Sequence, residues 1–242
     1  QTVAVDGYCW LHQGAYVCSQ DLIYGRGVEK LVDYCVKKVQ LLLSCNVRPI
    51  LIFDGCHLQM KSGTECDRKK LRDEAREKAE QYLREGNLAM AQKKFTEALD
   101  VTPEMAQQLM VALQALQVEC YVAPYEADAQ LAFMYLTGRA QAVITEDSDL
   151  LIFGVRKVFF KMDKNGDGLE ISMDRLGEVP EFRTFDQDAL LATCILSGCD
   201  YLDSIKGIGF KKALRLVYEN GSDVQRILKA VRREGKYLIP SE

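Results

Sequence analysis

The sequence has few of the residues that bind zinc. It contains only two histidines, and none of its nine cysteines forms a Cys-x-x-Cys pair. Histidines and paired cysteines are the usual zinc ligands, so we do not expect a zinc site. No apolar run approaches the length of a membrane span, and no signal peptide is recognisable. The odd cysteine count is typical of a reducing compartment, where cysteine serves mainly as a small apolar residue.

The chain also lacks an overall positive charge. Its net charge is −4, which by itself argues against a nucleic-acid partner. The distribution argues the other way, because nine basic and three acidic residues lie between Lys206 and Lys236. Without the seven acidic residues considered next, the net charge would be +3. An acidic total is therefore compatible with a site that binds its own compensating cations.

Seven acidic residues stand out because most of them come directly after apolar, strand-like segments. They are Asp6, Asp54, Glu126, Asp128, Asp147, Asp149 and Asp200. In an open α/β sheet, ligands bind at the carboxyl ends of the strands. If the strands are parallel neighbours, these carboxylates converge.

Converging carboxylates need a cation. Two of them ~5 Å apart repel each other by ~3 kcal/mol at an effective dielectric constant of 20. Hard oxygen ligands select Mg²⁺ or Mn²⁺, and an all-carboxylate site indicates two-metal phosphodiester chemistry. The alternative for each acid alone is local: Asp147 and Asp149 as caps of a helix near Leu150, and Asp54-Gly55 as a turn. Capping does not explain why acids occur in pairs two residues apart at two separate places, Glu126 with Asp128 and Asp147 with Asp149.

The chain alternates strand-like and helical patterns. Strands are predicted at 2–6, 49–53, 118–122, 141–145 and 157–161, and helices at 28–44, 66–85, 88–99, 104–116, 126–137, 186–197, 210–219 and 223–232. This alternation predicts an α/β fold, with a mostly parallel twisted sheet and helices on both faces. We expect a single domain over 1–242.

The segment 57–101 does not fit a plain α/β sheet. From Lys61 to Arg84 there are eight basic and six acidic residues with few large apolar ones. Such a segment buries little and is expected to project from the body. It is either a solvated helix with i,i+4 ion pairs or a charged arm over the edge of the sheet where the acids are expected to converge, which we call the acidic edge. Its position just after Asp54 favours the arm.

A second unusual segment contains Gly207-Ile208-Gly209. Two glycines allow a tight turn whose backbone N–H groups point outward at the start of the next helix. Lys211 and Lys212 follow at once, so the segment can grip a duplex backbone without contacting bases. The alternative is a helix C-cap.

One motif imitates a calcium site. The run from Asp163 to Gly168 looks like the start of an EF-hand loop, but the flank before it reads as a strand. We prefer a hairpin turn that joins 157–161 to 169–172.

With these features in place, the chain resembles the flap-endonuclease family of structure-specific 5′ nucleases, and within it the exonuclease subgroup. The resembling segments are 5–12 (VDGYCWLH), 53–56 (FDGC), 122–132 (VAPYEADAQLA), 144–151 (ITEDSDLL), 161–163 (KMD) with 168–170 (GLE), and 195–202 (ILSGCDYL). They occur in the family's order along nearly the whole chain.

The resemblance implies roles for individual residues. The seven acids match the family's metal ligands for two Mg²⁺ ions, which Mn²⁺ can replace. Lys61 and Arg68 match the basic pair that steadies the scissile phosphate, Tyr8 matches an aromatic residue that stacks on a base, and His12 resembles a residue beside the nick. Gly207 and Gly209 match a helix–two-turn–helix motif over 197–220, and 57–101 matches a helical arch. In that motif a potassium ion would be held by Ser197, Ser204 and the Ile208 carbonyl.

The resemblance also implies an activity and partners. It indicates a metal-dependent 5′→3′ double-strand DNA exonuclease with 5′ flap endonuclease activity, acting in the nucleus in mismatch repair, end resection and recombination. The expected substrates are duplexes with a nick, a 5′ recess or a 5′ flap, and no membrane is involved. We expect a short N-terminal segment to be missing before Gln1. We also expect a C-terminal tail that recruits mismatch-repair proteins and a sliding clamp.

Three other functions remain open at this point. One is a replication flap endonuclease, and another is a PIN-type ribonuclease, which also clusters acids on a parallel sheet but lacks the charged arm. The third is a non-catalytic scaffold that binds DNA ends.

Overall fold

The structure is a computed structural model that describes residues 1–23 and 25–237. Its contacts divide the chain into two compact parts, Gln1–Ile171 and Ser172–Glu242, which we call the first and second units. The prediction of a single domain over 1–242 does not anticipate a division into two units. The arch segment lies in the first unit and the segment 197–220 in the second.

The first unit is built on a six-stranded sheet with the order β3-β2-β1-β4-β5-β6. Its strands are β1 (Thr2–Asp6), β2 (Arg48–Phe53), β3 (Glu119–Val122), β4 (Ala142–Ile144), β5 (Lys157–Phe160) and β6 (Leu169–Ser172). The pairs β3–β2, β2–β1, β1–β4 and β4–β5 are all parallel. The α/β fold with a mostly parallel sheet is therefore confirmed, and β1 lies at its centre.

Helices fill the connections. They are α1 (Gly7–Val17), α2 (Ser19–Ile23), α3 (Val28–Ser44), α4 (Ser62–Arg84), α5 (Leu88–Glu97), α6 (Pro103–Ala115), α7 (Ala127–Leu136) and α8 (Asp149–Ile152) in the first unit, and α9 (Gln187–Ser197), α10 (Phe210–Asn220) and α11 (Val224–Glu234) in the second. Short 3-10 turns occupy 59–61, 173–178 and 180–182. None of the helices in the described ranges is both long and apolar enough to cross a bilayer.

The sheet is covered on both faces because its strands alternate between two cores. Val3 and Val5 of β1 pack in a cluster with Trp10, while Ala4 packs on the opposite face in a cluster with Leu131. Alternating side chains of a strand point to opposite faces, so apolar residues at every position are what a doubly covered sheet requires. The second unit has a separate core around Ile208, Leu216 and Ile227.

Helix α4 differs from the other long helices. It runs for 23 residues, about 35 Å at 1.5 Å per residue, and its only buried residues are Ala75 and Ala79. Ion pairs along it include Lys78 with Glu74 at 3.8 Å and Lys70 with Asp67 at 3.2 Å. The segment thus buries little, as expected, and carries the surface ion pairs of the solvated-helix alternative.

The calcium-like motif lies between β5 and β6, which are hydrogen-bonded neighbours in the sheet. The Asp163 carboxylate accepts hydrogen bonds from the backbone N–H groups of Asn165 and Asp167 at 2.8 and 2.9 Å. A strand, and not a helix, precedes the loop. This agrees with the preferred turn between two strands.

Gly55 provides a test of how tightly β2 meets the loop before α7. A Cβ atom at Gly55 would lie 1.8 Å from the Ala123 carbonyl oxygen, which belongs to a rigid backbone. We expect Gly55→Ala to lower the free energy of unfolding by at least about 2 kcal/mol, because overpacking against backbone forces the chain apart. Urea unfolding followed by circular dichroism measures the change.

Gly63→Ala is the matched control. Gly63 lies in the first turn of α4, and a Cβ atom there meets nothing within 4 Å. Its unfolding midpoint should equal or exceed that of wild type, since alanine favours helix over glycine. Equal midpoints for wild type and Gly55→Ala would contradict the close approach seen in the structure.

Candidate active site

Asp6 is both a structural cap and a member of the acidic edge. It is the last residue of β1 and the N-cap of α1, where its Oδ1 accepts a hydrogen bond from the Cys9 N–H at 2.9 Å. Its Oδ2 accepts from the Thr145 hydroxyl at 3.0 Å. Burial raises its pKa to about 6, and the charges of Asp54 and Asp147 act in the same direction. The carboxylate is therefore fixed in place and is costly to ionise without a cation.

Asp54 follows β2, the strand beside β1. Its Oδ1 accepts a hydrogen bond from the Ala127 N–H at 2.7 Å, so it satisfies the N-terminus of α7 from 73 residues away. Asp54 is exposed as a whole residue, yet desolvation of its carboxyl group raises its pKa, with Glu126 adding to the effect and Lys61 opposing it.

Glu126 and Asp128 come from the start of α7. Glu126 occupies the N-cap position, and Asp128 lies in the first turn. Burial raises the pKa of Asp128 to about 7, and the charges of Asp147, Asp6 and Asp54 contribute in that order. The positive end of the helix dipole favours negative charge here. The raised pKa shows that burial and neighbouring acids outweigh that effect.

Asp147 lies between β4 and α8, and Asp149 is the first residue of α8. The Asp147 N–H donates to the Thr145 hydroxyl at 3.0 Å, and the Asp149 N–H donates to Asp147 Oδ1 at 2.8 Å. Thr145 is 1% exposed and thus links Asp6 to the segment that carries Asp147. The local capping alternative is partly right, since Asp147 accepts a backbone hydrogen bond at the start of α8.

The structure brings together the carboxylates of Asp6, Asp54, Asp128 and Asp147, which act on one another electrostatically, with Glu126 acting on Asp54. Within residues 1–23 and 25–237, no three histidine, cysteine or acidic side chains stand close enough together to enclose an ion. Mutual repulsion of like charges favours such spacing. The donor set consists of carboxylate oxygens in a partly desolvated setting, which fits hard divalent cations such as Mg²⁺.

Lys61 lies among these acids. It ends the short turn before α4, its side chain is 12% exposed, and its Nζ lies 2.5 Å from Glu126 Oε1. Its charge opposes the raised pKa values of Asp54 and Asp128. The segment 57–101 therefore contacts one of these acids near its N-terminal end, through Lys61. Its role as an arm over the site stays a prediction.

Three other predicted residues lie nearby in the first unit. Arg68 is exposed on α4, and its charge acts on His12 of α1. Part of His12 is exposed, but desolvation of the imidazole lowers its pKa, opposed by Asp100. Tyr8 is half-buried and packs edge-on against Phe53, with ring centroids 6.1 Å apart. The proposed contacts of these three residues with DNA stay predictions.

In the second unit, the glycine turn lies before α10 and does not end a helix. Gly209 is the N-cap of α10, whereas α9 ends at Ser197 with Gly198 as its C-cap. The C-cap alternative for Gly207 and Gly209 is therefore wrong. Gly207 has a φ of 92°, which favours glycine, and its carbonyl accepts a hydrogen bond from Lys212 Nζ at 2.8 Å.

Gly209 differs from Gly207. Its φ of −98° suits any residue, and a Cβ atom there would meet nothing within 4 Å. Nothing within the described fold thus requires glycine at 209. Lys211 is exposed in the first turn of that helix.

The predicted potassium ligands lie around the C-terminus of α9. The Ser197 hydroxyl donates to the Cys194 carbonyl at 2.9 Å, and a Cβ atom at Gly198 would lie 2.9 Å from the Ser204 backbone nitrogen. Ile208 is 1% exposed. Asp200 follows Cys199, whose N–H donates to the Leu202 carbonyl at 2.9 Å. Ion binding by these residues stays a prediction.

Two functional features were not predicted from the sequence. The Thr145 hydroxyl bridges Asp6 and Asp147, and Gly7 lies so close to Phe53 that a Cβ atom would sit 2.4 Å from the ring. A buried threonine next to an acidic run is a weak signal, since its partner Asp6 is 139 residues away.

Two family sequence models match this chain. The XPG N-terminal domain matches residues 1–75, and the XPG I-region matches residues 117–200. Together they cover roughly two thirds of the chain and include the six acids of the first unit and Asp200.

Curated relatives agree with the family models. The chain is 48% identical to "Exonuclease 1" of Danio rerio over 98% of the chain and 29% of that protein. It is 45% identical to "Exonuclease 1" of Xenopus laevis (98% and 32%) and 34% identical to "Exodeoxyribonuclease 1" of Saccharomyces cerevisiae (99% and 34%). The chain thus spans about a third of the length of the curated relatives it matches.

Solved structures show the same fold. The catalytic core of Rad2 in complex with DNA substrate has a TM-score of 0.71 at 22% identity and covers 98% of this chain and 67% of its own. Flap endonuclease-1 from Methanococcus jannaschii has a TM-score of 0.61 at 22% identity (96% and 74%). The Holliday junction-resolving enzyme GEN1, in complex with product DNA and Mg²⁺, has a TM-score of 0.62 at 21% identity (96% and 49%).

The sequence models, the curated relatives and the shared fold agree. The nucleases of the XPG family depend on divalent metal ions. The chain belongs to this family, the flap-endonuclease family, and resembles its exonuclease 1 members.

Proposed function

We propose that this chain is the catalytic part of a metal-dependent 5′→3′ double-strand DNA exonuclease that also cuts 5′ flaps. The observation that carries the proposal is the convergence of four carboxylates from β1, β2, α7 and the end of β4, with Lys61 beside them. Family membership and the exonuclease 1 relatives support the same activity.

The acidic edge would hold two Mg²⁺ ions, which Mn²⁺ can replace. Asp6, Asp54, Glu126, Asp128, Asp147 and Asp149 are the ligands proposed in the first unit, and Asp200 is assigned to the set by its match to the family. Bound divalent cations supply water activation and charge neutralisation at the leaving oxygen. Two of the acids are held rigidly, Asp6 by the Cys9 N–H and Asp54 by the Ala127 N–H.

Basic and aromatic residues act on the DNA itself. Lys61 and Arg68 offset negative charge that builds up on the scissile phosphate. Tyr8 stacks on an unpaired terminal base, an interaction of about 1–3 kcal/mol, and His12 packs beside the nick. In the second unit, Gly207, Gly209, Lys211 and Lys212 contact the duplex backbone. A potassium ion held by Ser197, Ser204 and the Ile208 carbonyl would share a phosphate.

The exonuclease 1 relatives support a biological setting in DNA repair. We place the enzyme in the nucleus, in mismatch repair, end resection and recombination, with nicked, 5′-recessed and 5′-flap duplexes as substrates. Mismatch-repair proteins and a sliding clamp are the protein partners that we propose. The comparisons do not favour a replication flap endonuclease or a non-catalytic scaffold.

A cleavage assay tests the activity and, with Asp128→Asn, the acidic edge. The purified protein should release nucleotides from a 5′-recessed DNA duplex in Mg²⁺ and not in EDTA, and it should leave the matched RNA duplex intact. Asp128→Asn should lower kcat by about 10² or more, because a preorganised electrostatic group is lost. Binding of DNA without cleavage by the wild type would indicate the scaffold instead, and cleavage of RNA alone would indicate a ribonuclease.

The same variant should stabilise the metal-free protein. At pH 8, above the raised pKa of Asp128, its buried charge repels three other acids. Removing that charge should raise the free energy of unfolding in EDTA by about 1 kcal/mol, the usual size of such an activity–stability trade-off. Asp33→Asn is the control, since Asp33 is exposed and paired with Lys37. A lower free energy of unfolding for Asp128→Asn than for the wild type would contradict repulsion between Asp128 and the other acids.

Lys61→Ala should slow turnover more than it weakens DNA binding. Loss of one group that stabilises the transition state typically lowers kcat by about 10². Lys78→Ala, an exposed lysine of α4 paired with Glu74, should behave as wild type. Single-turnover cleavage and fluorescence anisotropy separate the two effects. Weaker DNA binding with unchanged turnover would contradict a catalytic role for Lys61.

Lys211→Ala tests the phosphate contact of the second unit. If Lys211 neutralises one phosphate, the slope of log K against log salt should become shallower by about 1. Lys157→Ala is the control, because Lys157 lies on β5 and pairs with Glu170 at 3.8 Å. Duplex binding measured between low and moderate salt gives both slopes. An unaltered slope for Lys211→Ala would exclude this contact.

A further inference from the structure

Lys38 of α3 is a buried lysine in the first unit. It is 3% exposed, and its Nζ donates to Gln13 Oε1 at 2.5 Å and to the Met162 carbonyl at 2.8 Å. The ammonium also lies over the Trp10 and Tyr34 rings, 5.2 and 5.3 Å from their centroids. A buried charge is costly unless it is hydrogen-bonded, and a methionine would fill similar space without that cost. Core packing alone therefore does not account for lysine at this position.

Gln13 of α1 connects this lysine to a carboxylate. Its Oε1 accepts from Lys38, and its Nε2 donates to Glu146 Oε1 at 2.9 Å. The orientation of the amide is determined, because an ammonium group only donates and an ionised carboxylate only accepts. Each end of the amide thus faces a full charge of the matching sign, which strengthens both hydrogen bonds.

Glu146 in turn anchors the loop that carries Asp147. Its Oε1 also accepts from the Lys161 backbone N–H at 2.8 Å. On one side of Glu146, Thr145 is bonded to Asp6, and on the other side lies Asp147. The loop 145–147 is therefore held twice, by Thr145 toward β1 and by Glu146 toward α1, α3 and the end of β5.

We propose that Lys38 and Gln13 are positioning residues that, through Glu146, hold the 145–147 loop and so place Asp147 for divalent-cation binding. The inference rests on the proposed function, since the place of Asp147 matters for chemistry only if the acidic edge binds cations. Neither side chain touches the substrate or the metal. Both act by fixing the loop.

Binding of Mn²⁺ alone tests this inference without a cleavage assay. Free Mn²⁺ is measured by its paramagnetic resonance signal during titration of the metal-free protein, with no DNA present. Gln13→Met keeps the size of the side chain but removes both hydrogen bonds, and Lys38→Met removes the buried charge. Both should raise the Kd for Mn²⁺ by about tenfold or more, the usual effect of losing a group that orients a metal ligand.

Two further variants separate positioning from general stability. Glu146→Gln keeps an acceptor oxygen for Gln13 and Lys161, so it should bind Mn²⁺ nearly as wild type does. Val39→Ala opens a cavity beside Lys38 on α3, at a fully buried residue outside the hydrogen-bonded link. It should lower the unfolding temperature and leave Mn²⁺ affinity unchanged.

The possible results are distinct. Wild-type Mn²⁺ affinity in folded Gln13→Met and Lys38→Met would overturn the inference while leaving the proposed function intact. Weak binding by Val39→Ala would also overturn it, because loss of stability alone would then explain the effect. If Lys38→Met fails to fold, Gln13→Met still decides, since Gln13 is only partly buried. Absence of Mn²⁺ binding by the wild type would overturn the proposed function itself.

Discussion

Repulsion between carboxylates at one edge of the sheet is the constraint on which the rest of the first unit depends. Asp6, Asp54 and Asp147 lie at or just beyond the ends of strands that are neighbours in the order β2-β1-β4, although up to 141 residues separate them in sequence. The raised pKa values of Asp6, Asp54 and Asp128 show that burial and like charge disfavour ionisation there. Two apolar cores, one on each face of the sheet, hold the strand ends together against this cost.

The same hydrogen bonds that complete the secondary structure also fix the acids. Asp6 caps α1, Asp54 accepts from the first residue of α7, and Asp147 accepts from the first residue of α8. Each of these hydrogen bonds restricts the rotation of the carboxylate side chain that accepts it. Capping and cation binding are therefore not alternatives at these positions, because a capped carboxylate retains further lone pairs that can bind a cation.

The sheet could be predicted from the sequence because its strands are short apolar runs that end at acids or turns. Helix α1 was not predicted, and the reason is visible in its packing. Its buried face is Gly7, Trp10, Leu11, Gly14 and Ala15, in which both glycines allow close contact, with Phe53 at Gly7 and with Leu31 and Tyr34 at Gly14. Glycine lowers helix propensity, so the same two glycines that allow this helix to pack closely weaken its signal in the sequence.

The site was predictable in its charges but not in its supporting contacts. An acid after an apolar run is a local signal, whereas Thr145 and Gln13 acquire their partners only when distant segments meet. The two glycines of the 207–209 turn illustrate the same limit. Their spacing in the sequence suggests that both glycines have the same role, yet only Gly207 has a backbone conformation that requires glycine.

Lys61 differs from its acidic neighbours in how it is held. The carboxylates of Asp6 and Asp54 are bonded to backbone N–H groups of rigid helices, whereas Lys61 is a point charge on a flexible four-carbon stem. In this structure its ammonium pairs with Glu126 and partly compensates the acidic edge. Under the proposed function, a phosphate entering beside Lys61 would give its ammonium a second partner, while hydrogen bonds hold Asp6 and Asp54 in place. The proposed roles match this difference. Lys61 would contact a phosphate whose charge changes during the reaction, and the acids would hold ions whose positions must stay fixed.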